Sequence, residues 1–233
     1  MKINKAMILA AGLGTRMNPL TLNIPKPLIK IGQYSLLERS INLLIKYGIK
    51  EIVINVHHLA DQIENFIKNK NLKIKIIISD ERNELLDTGG GIYKGTESFS
   101  DEPFITLNPD TVWGDVYLQE LQLLEKLYRE NKKTSLLLVD KSLSFDTSFK
   151  GDFNIDKKNN ISRDNINQFV FTGIQILTRE IFQNTKKNIF SMNDIWNNLI
   201  LGKNILGLKS KKKFYHINNL KIYNEIIKKK IID

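Results

Sequence analysis

"ILAAGLGTRMNPLTLNIPKPL", Ile8 to Leu28, sets the end of an apolar run against glycine, proline and positive charge. The run itself, Ala6–Ala10, is short and continuously apolar, the pattern of a strand buried on both faces of a parallel sheet. Gly12 and Gly14 then permit left-handed backbone and close approach, so consecutive N–H groups from Ala11 onward can converge on a phosphate. Thr15 adds a hydroxyl donor, and Arg16 a planar fork matched to phosphate oxygens. Lys26 lies between Pro25 and Pro27, which keep it extended and out of a helix, placed to close on the same phosphates as Arg16. Met17 stands where a dinucleotide fingerprint needs glycine, and no Gly-Lys-Ser/Thr ends the loop, so it is neither that fingerprint nor a P-loop. A Gly-x-Gly pair alone is equally an ordinary strand-to-helix turn; Arg16 and the proline-flanked Lys26 turn the reading toward phosphate.

Outward from this loop, strand-like and helix-like segments alternate. The spacing predicts helices over Leu36–Tyr47, stopped by Gly48, over Leu59–Lys68, over Gly90–Phe99, and around Tyr117, Leu121, Leu124 and Tyr128. Strands are expected at Glu51–Asn55, Lys73–Ile78, Pro103–Leu107 and Thr134–Val139. Such alternation implies an α/β fold, a Rossmann-like, mostly parallel sheet flanked by helices, with ligands beyond the carboxyl ends of the strands. The opening loop, "LLDTGGGI" (Leu85–Ile92) and "TLNPD" (Thr106–Asp110) all fall at such ends, so three loops should meet at one crevice. After Asp140 the sequence turns polar and Asn-rich, read as a small antiparallel lobe with a turn at "KKNN". Ser191 begins a capped helix, and Asn219–Lys230 forms a terminal one. The chain is expected to be one domain, residues 1–140 the phosphate-binding core and 141–233 a lobe that covers the crevice and contacts a second substrate, with a C-terminal helix.

The 233 residues are 42% hydrophobic and 26% charged, enough for a globular core. No apolar stretch approaches the roughly 20 residues of a membrane span. The apolar start lacks a cleavage region and reads as a mature cytoplasmic beginning. Without cysteine there is no disulfide framework and no thiolate site. The net charge of +10 raises nucleic acid or an anionic membrane as partner. The lysines, however, are scattered and not interleaved with stacking aromatics, so neither partner is expected. A phosphate-rich small substrate gains from the same positive field.

Three further motifs complete the picture. In "LLDTGGGI" three glycines open a helix and expose amides near its positive end. Asp110 in "TLNPDTVWGD" puts a carboxylate, a hard oxygen donor, at a strand end. "KFYHINNLKIYNEI", Lys213–Ile226, is an aromatic-rich strand leading into a helix. His57 and His58, just past a strand end, read as structural loop residues.

The string Leu9–Leu28 closely resembles the signature of the sugar-nucleotide pyrophosphorylases, the sugar-1-phosphate nucleotidyltransferases. The Gly triplet is most similar to that of the short bacterial N-acetylmuramate-1-phosphate uridylyltransferases. The resemblance implies that the first loop wraps a nucleoside triphosphate, with Arg16 on the departing pyrophosphate and Lys26 on the phosphates near the reacting centre. It implies nucleotide contacts from Ala11, Gly12, Gly14, Thr15, Asp87, Gly89 and Gly90. It implies substrate contacts from Asn108, Gly151, Asp152, Thr172 and Gly173, and Mg²⁺ on Asp110. Pro109 stands where relatives have glycine, and His216 where they have a second metal-binding aspartate. Imidazole is a poor Mg²⁺ ligand. Three readings of His216 stay open: it holds a metal-bound water or a substrate phosphate, it ligates a softer metal, or the role is lost. The implied reaction joins an NTP, UTP first, to a sugar 1-phosphate, N-acetylmuramate 1-phosphate first, as in cell-wall sugar recycling. A mannose-1-phosphate guanylyltransferase, a non-catalytic nucleotide-sugar binder and a basic nucleic-acid-binding protein are the alternatives.

Overall fold

β1 (Lys5–Leu9) is the centre of the protein because both of its faces are apolar. Ala6 and Ile8 point into one hydrophobic layer and Met7 into the other, the period-two alternation of a strand buried on both sides. The structure, a computed structural model, describes residues 2–70 and 72–230; Met1, Asn71 and the last three residues of the 141–233 region lie outside it.

Along the chain follow β2 (Lys30–Ile31), β3 (Tyr34–Ser35), α1 (Leu36–Tyr47), β4 (Glu51–Val56), α2 (Ala60–Asn69), β5 (Lys75–Asp80) and α3 (Asp87–Gly95). Then come β6 (Phe104–Leu107), α4 (Leu118–Asn131), β7 (Thr134–Asp140), β8 (Asn154–Ile155), β9 (Ile161–Ser162), β10 (Phe169–Leu177), α5 (Met192–Leu201), β11 (Ile205–Ser210) and α6 (Leu220–Lys228). Seven strands form one sheet in the order β11-β7-β10-β6-β1-β4-β5. Only β10 runs antiparallel to its neighbours, β6 and β7; the other pairings are parallel. The expected α/β architecture is therefore present.

Helices cover both faces. Leu37, Ile41 and Leu44 of α1, Ile63 of α2 and Leu121 and Leu124 of α4 pack on one side; Ile92 of α3 and Ile195 and Trp196 of α5 pack on the other. α1 has the expected limits because Ser35 accepts from the Glu38 N–H at its start and Gly48 is left-handed (φ 107°) at its end. The polar region after Asp140 does contain a two-stranded hairpin, β8–β9, turning through Asp156–Asn160. Two of its strands, β10 and β11, instead run in the central sheet, so this region shares the core of the first.

A third cluster positions the opening loop. Met17 is fully buried with Ile29, Leu36, Val112, Ile217, and Ile222 and Ile226 of α6. The C-terminal helix thereby clamps the loop that begins at Gly12.

Candidate active site

A cavity of about 610 Å³ opens where β1, β4 and β6 end. The opening loop from Ala10 to Met17, Lys26, Asp87, Thr88 and Asn108–Asp110 all line it. The three loops therefore converge as the strand order demands.

Gly14 is left-handed, with φ 65°. A Cβ there would lie 3.0 Å from both Lys26 Cβ and Thr21 Cγ2. The glycine thus serves two needs, the turn and the close approach of the lysine segment. Around Gly12 no atom lies within 4 Å of a Cβ position, so this side of the loop faces open space. Lys26 is not extended as expected but opens a 3₁₀ turn, Lys26–Leu28, after the extended Pro25, and directs Nζ to Asp110 Oδ2 at 2.7 Å. Asp110 Oδ1 is buried and accepts no hydrogen bond.

A short antiparallel pairing builds the other wall. Val112 N–H donates to Tyr215 O at 2.8 Å and Ile217 N–H to Asp110 O at 2.7 Å, which sets His216 opposite Thr111. His216 Nδ1 then lies 3.6 Å from Asp110 Oδ1. Its ring stacks on Phe214 and meets the edge of Phe149. Burial would raise the Asp110 carboxyl, yet His216 and Lys26 hold it down at about 2. Burial pushes His216 below its ordinary value; Asp110 opposes that shift while Lys26 and Arg16 add to it. The imidazole is neutral at neutral pH, and Lys26 is then the charged partner that faces Asp110. Arg16 is exposed at the mouth and donates through Nη1 to Asn218 Oδ1.

The residues expected to bind nucleotide divide into two groups. Ala11, Gly12, Gly14, Thr15, Arg16, Lys26 and Asp87 line the cavity. Gly89 and Gly90 do not: both amides donate to Phe190 O, at 2.9 and 3.1 Å. A Cβ on Gly90 would come within 2.1 Å of Asn188 O. These glycines let α3 press against the loop before α5, and their N–H groups are not open to a ligand. Asn108 lines the cavity, backed by Gly173, where a Cβ would meet Asn108 Cβ at 2.9 Å. Gly151, Asp152 and Thr172 stand outside the lining; the Thr172 hydroxyl donates to Leu137 O at 2.9 Å, and Asp152 Oδ2 accepts from Phe171 N–H at 2.8 Å.

Four residues without an expected role prove central. Asn55, the polar end of β4, accepts from Ala10 N–H at 2.7 Å and donates to Glu81 Oε1 at 2.7 Å. Glu81 Oε2 accepts from Leu86 N–H at 3.2 Å. This buried pair ties the ends of β1 and β4 to the start of α3. Asn218 and Asp146 form the second pair, at 3.3 Å. His57 and His58 only brace loops, bonding to Glu81 O and Thr21 O. The signal for Asn55 is a polar residue within the apolar run Ile52–Val56; the others carry no local signal.

The sequence from residue 5 to residue 145 matches the nucleotidyl transferase family model. The chain belongs to that family. An N-acetylmuramate α-1-phosphate uridylyltransferase of Caulobacter vibrioides is 28% identical over 92% of this chain and 91% of its own. A mannose-1-phosphate guanyltransferase beta-B of Xenopus laevis is 37% identical over 46% of this chain, and this chain spans only 31% of that protein. Among solved structures, a UDP-glucose pyrophosphorylase from Acinetobacter baumannii superposes with a TM-score of 0.80 over 97% of this chain and 92% of its own, at 16% identity, a likeness of fold. No helix among the described residues is long and apolar enough to cross a membrane.

Proposed function

We propose that the protein condenses UTP with N-acetylmuramate 1-phosphate, releasing pyrophosphate and forming UDP-N-acetylmuramate. The observation that carries the reaction class is the convergence of Arg16, Lys26 and Asp110 on one cavity at the strand ends. Support for the substrate pair is the Caulobacter relative, which matches over nearly its whole length. The guanyltransferase likeness favours a second reading, GTP with mannose 1-phosphate, but it covers less than half of this chain.

In the forward reaction a phosphate oxygen of the sugar 1-phosphate attacks the α-phosphorus of the triphosphate. The bond from that phosphorus to the bridging oxygen breaks, and pyrophosphate leaves. The attacking oxygen is already anionic, so no protein base is required. The chain's part is to position two anions and neutralise their charge. Lys26 and Arg16 supply positive charge from the two sides of the opening loop, Lys26 near the reacting centre and Arg16 toward the leaving pyrophosphate.

Mg²⁺ fits the donor set. Asp110 Oδ1 is a buried, ionised oxygen without a partner, and Mg²⁺ is commonly held by one or two carboxylates together with waters and substrate phosphates. No group of three acidic or histidine side chains among the described residues could hold a metal by itself, so the nucleotide would complete the coordination. The neutral His216 would stand beside the ion, contacting its water or a substrate phosphate. When bound, the ion supplies further charge neutralisation of the phosphates. The proposal sets the reaction in the cytoplasm, where nucleoside triphosphates are made.

The test is product identification. With four NTPs and N-acetylmuramate, N-acetylglucosamine, glucose and mannose 1-phosphates, mass spectrometry should find UDP-N-acetylmuramate as the dominant product. A dominant GDP-mannose would replace the substrate assignment and keep the chemistry.

A further inference from the structure

The contact between Arg16 and Asn218 joins residues 202 positions apart. It closes the opening loop onto the segment before α6. Both ends are fixed from below: Met17 is buried against Ile222 and Ile226, and Asn219 caps α6 by accepting from Ile222 N–H at 3.0 Å. Asn218 is left free to present its amide to the cavity, which it lines.

The amide can face only one way. Asp146 is 3% exposed, and its Oδ1 accepts from Ser148 N–H at 2.9 Å and Ser148 Oγ at 2.5 Å. Its Oδ2 meets Asn218 Nδ2 at 3.3 Å. A carboxylate only accepts and a guanidinium only donates. The amide nitrogen must therefore face Asp146 and the amide oxygen must face Arg16. A flipped amide would set two donors together and an acceptor against a carboxylate. An exposed arginine carries about 2 kcal/mol of rotamer entropy, and one bond to a fixed acceptor removes much of that freedom. Arg16 has five N–H donors, so the bond to Asn218 leaves most of them for phosphate.

We propose that Asn218, oriented by Asp146, is the positioning residue that holds the Arg16 guanidinium toward the departing pyrophosphate. The proposal rests on the reading of Arg16 as a phosphate-binding cation. It predicts that Asn218 and Asp146 act on turnover only through Arg16.

A double-mutant cycle tests this. Asn218→Ala should keep the unfolding midpoint and lower kcat about tenfold, the size expected for one hydrogen bond to a charged group. It should also weaken inhibition by added inorganic pyrophosphate. In an Arg16→Ala background the same substitution should change kcat by less than about twofold. Asp146→Asn, which releases the amide without touching Arg16, should cost less than Asn218→Ala and likewise vanish in that background. A structural role would cost activity in both backgrounds, and additive losses would overturn the proposal. Wild-type turnover by Arg16→Ala would instead overturn the reading of Arg16 itself, and this proposal with it.

Discussion

Lys26→Met removes the cation from the 2.7 Å pair with Asp110 while keeping most of the aliphatic stem. It should cause two separate losses. The Asp110 carboxyl is held at about 2 against an ordinary 3.8. A group so depressed contributes stability that is fully present above pH 3.8 and is lost as pH falls through about 2. At pH 7 that contribution is about 2 kcal/mol. The two side chains are only 13% and 21% exposed, so solvent screens the pair weakly. His216 is the first cause of that depression and Lys26 the next, so removal of Lys26 forfeits part of it. Urea unfolding at pH 7 should show the variant less stable, by up to about 2 kcal/mol. Adding Asp110→Asn should restore much of that, because an amide left without its cation is cheaper than a carboxylate. Turnover should behave differently. Loss of one electrostatic contact to the reacting phosphates costs about 3–4 kcal/mol, or about a hundred- to a thousand-fold in kcat. The double variant should be as inactive as the single one. If Lys26→Met turned over within about threefold of wild type, far below the loss expected for such a contact, the assignment of Lys26 would be refuted. Unchanged stability would show that Lys26 does not hold the Asp110 charge.

Other perturbations separate fold from chemistry. Gly12→Ala should leave the unfolding midpoint unchanged but raise KM for the nucleotide, because its Cβ meets only open space; an unchanged KM would count against a ligand at that face. Gly14→Ala should destabilise by about 1–2 kcal/mol from its left-handed backbone alone, and denaturant titration measures it. Asn55→Ala leaves the Ala10 N–H and Glu81 Oε1 without a partner and should cost about 1–3 kcal/mol; an unfolding midpoint equal to wild type would mean that the loops do not depend on this clamp. Burial lowers the His216 value, so the folded chain binds fewer protons than the unfolded one; stability is full above about 6.5 and falls as pH drops through the folded value. His216→Gln should therefore flatten the loss of stability between pH 7.5 and 5 in urea titrations, and parallel slopes would contradict that.

Much of this site was legible because its parts are local. Gly14 carries its backbone demand in its own sequence, and Ser35 and Gly48 mark α1 as caps do anywhere; the Pro-Lys-Pro string reads as extended, yet Pro27 fits inside the 3₁₀ turn that Lys26 opens. Convergence of the loops followed from strand order, since the loops at the carboxyl ends of the parallel β1, β5 and β6 must face the same crevice. What escaped depends on distant partners. Gly89 and Gly90 looked like open amides because nothing near them announces the Phe190 carbonyl, about a hundred positions on. Asn218 and Asp146 gain meaning only when β10 and β11 bring the second half of the chain beside the first. The place of β10 in the central sheet, not in a separate antiparallel lobe, was hidden for a related reason: Phe169–Leu177 is buried along most of its length, and such a run has no periodicity that names its neighbours.

The most direct test of the central claim is the dependence of pyrophosphate release on a sugar 1-phosphate. Purified protein with Mg²⁺ and each NTP should release no pyrophosphate until a sugar 1-phosphate is added. It should then release one equivalent for each NDP-sugar formed, with UTP and N-acetylmuramate 1-phosphate fastest. Nucleotide binding with no release for any pair, in Mg²⁺ or Mn²⁺, would contradict the account and mark the cavity as a binding site alone.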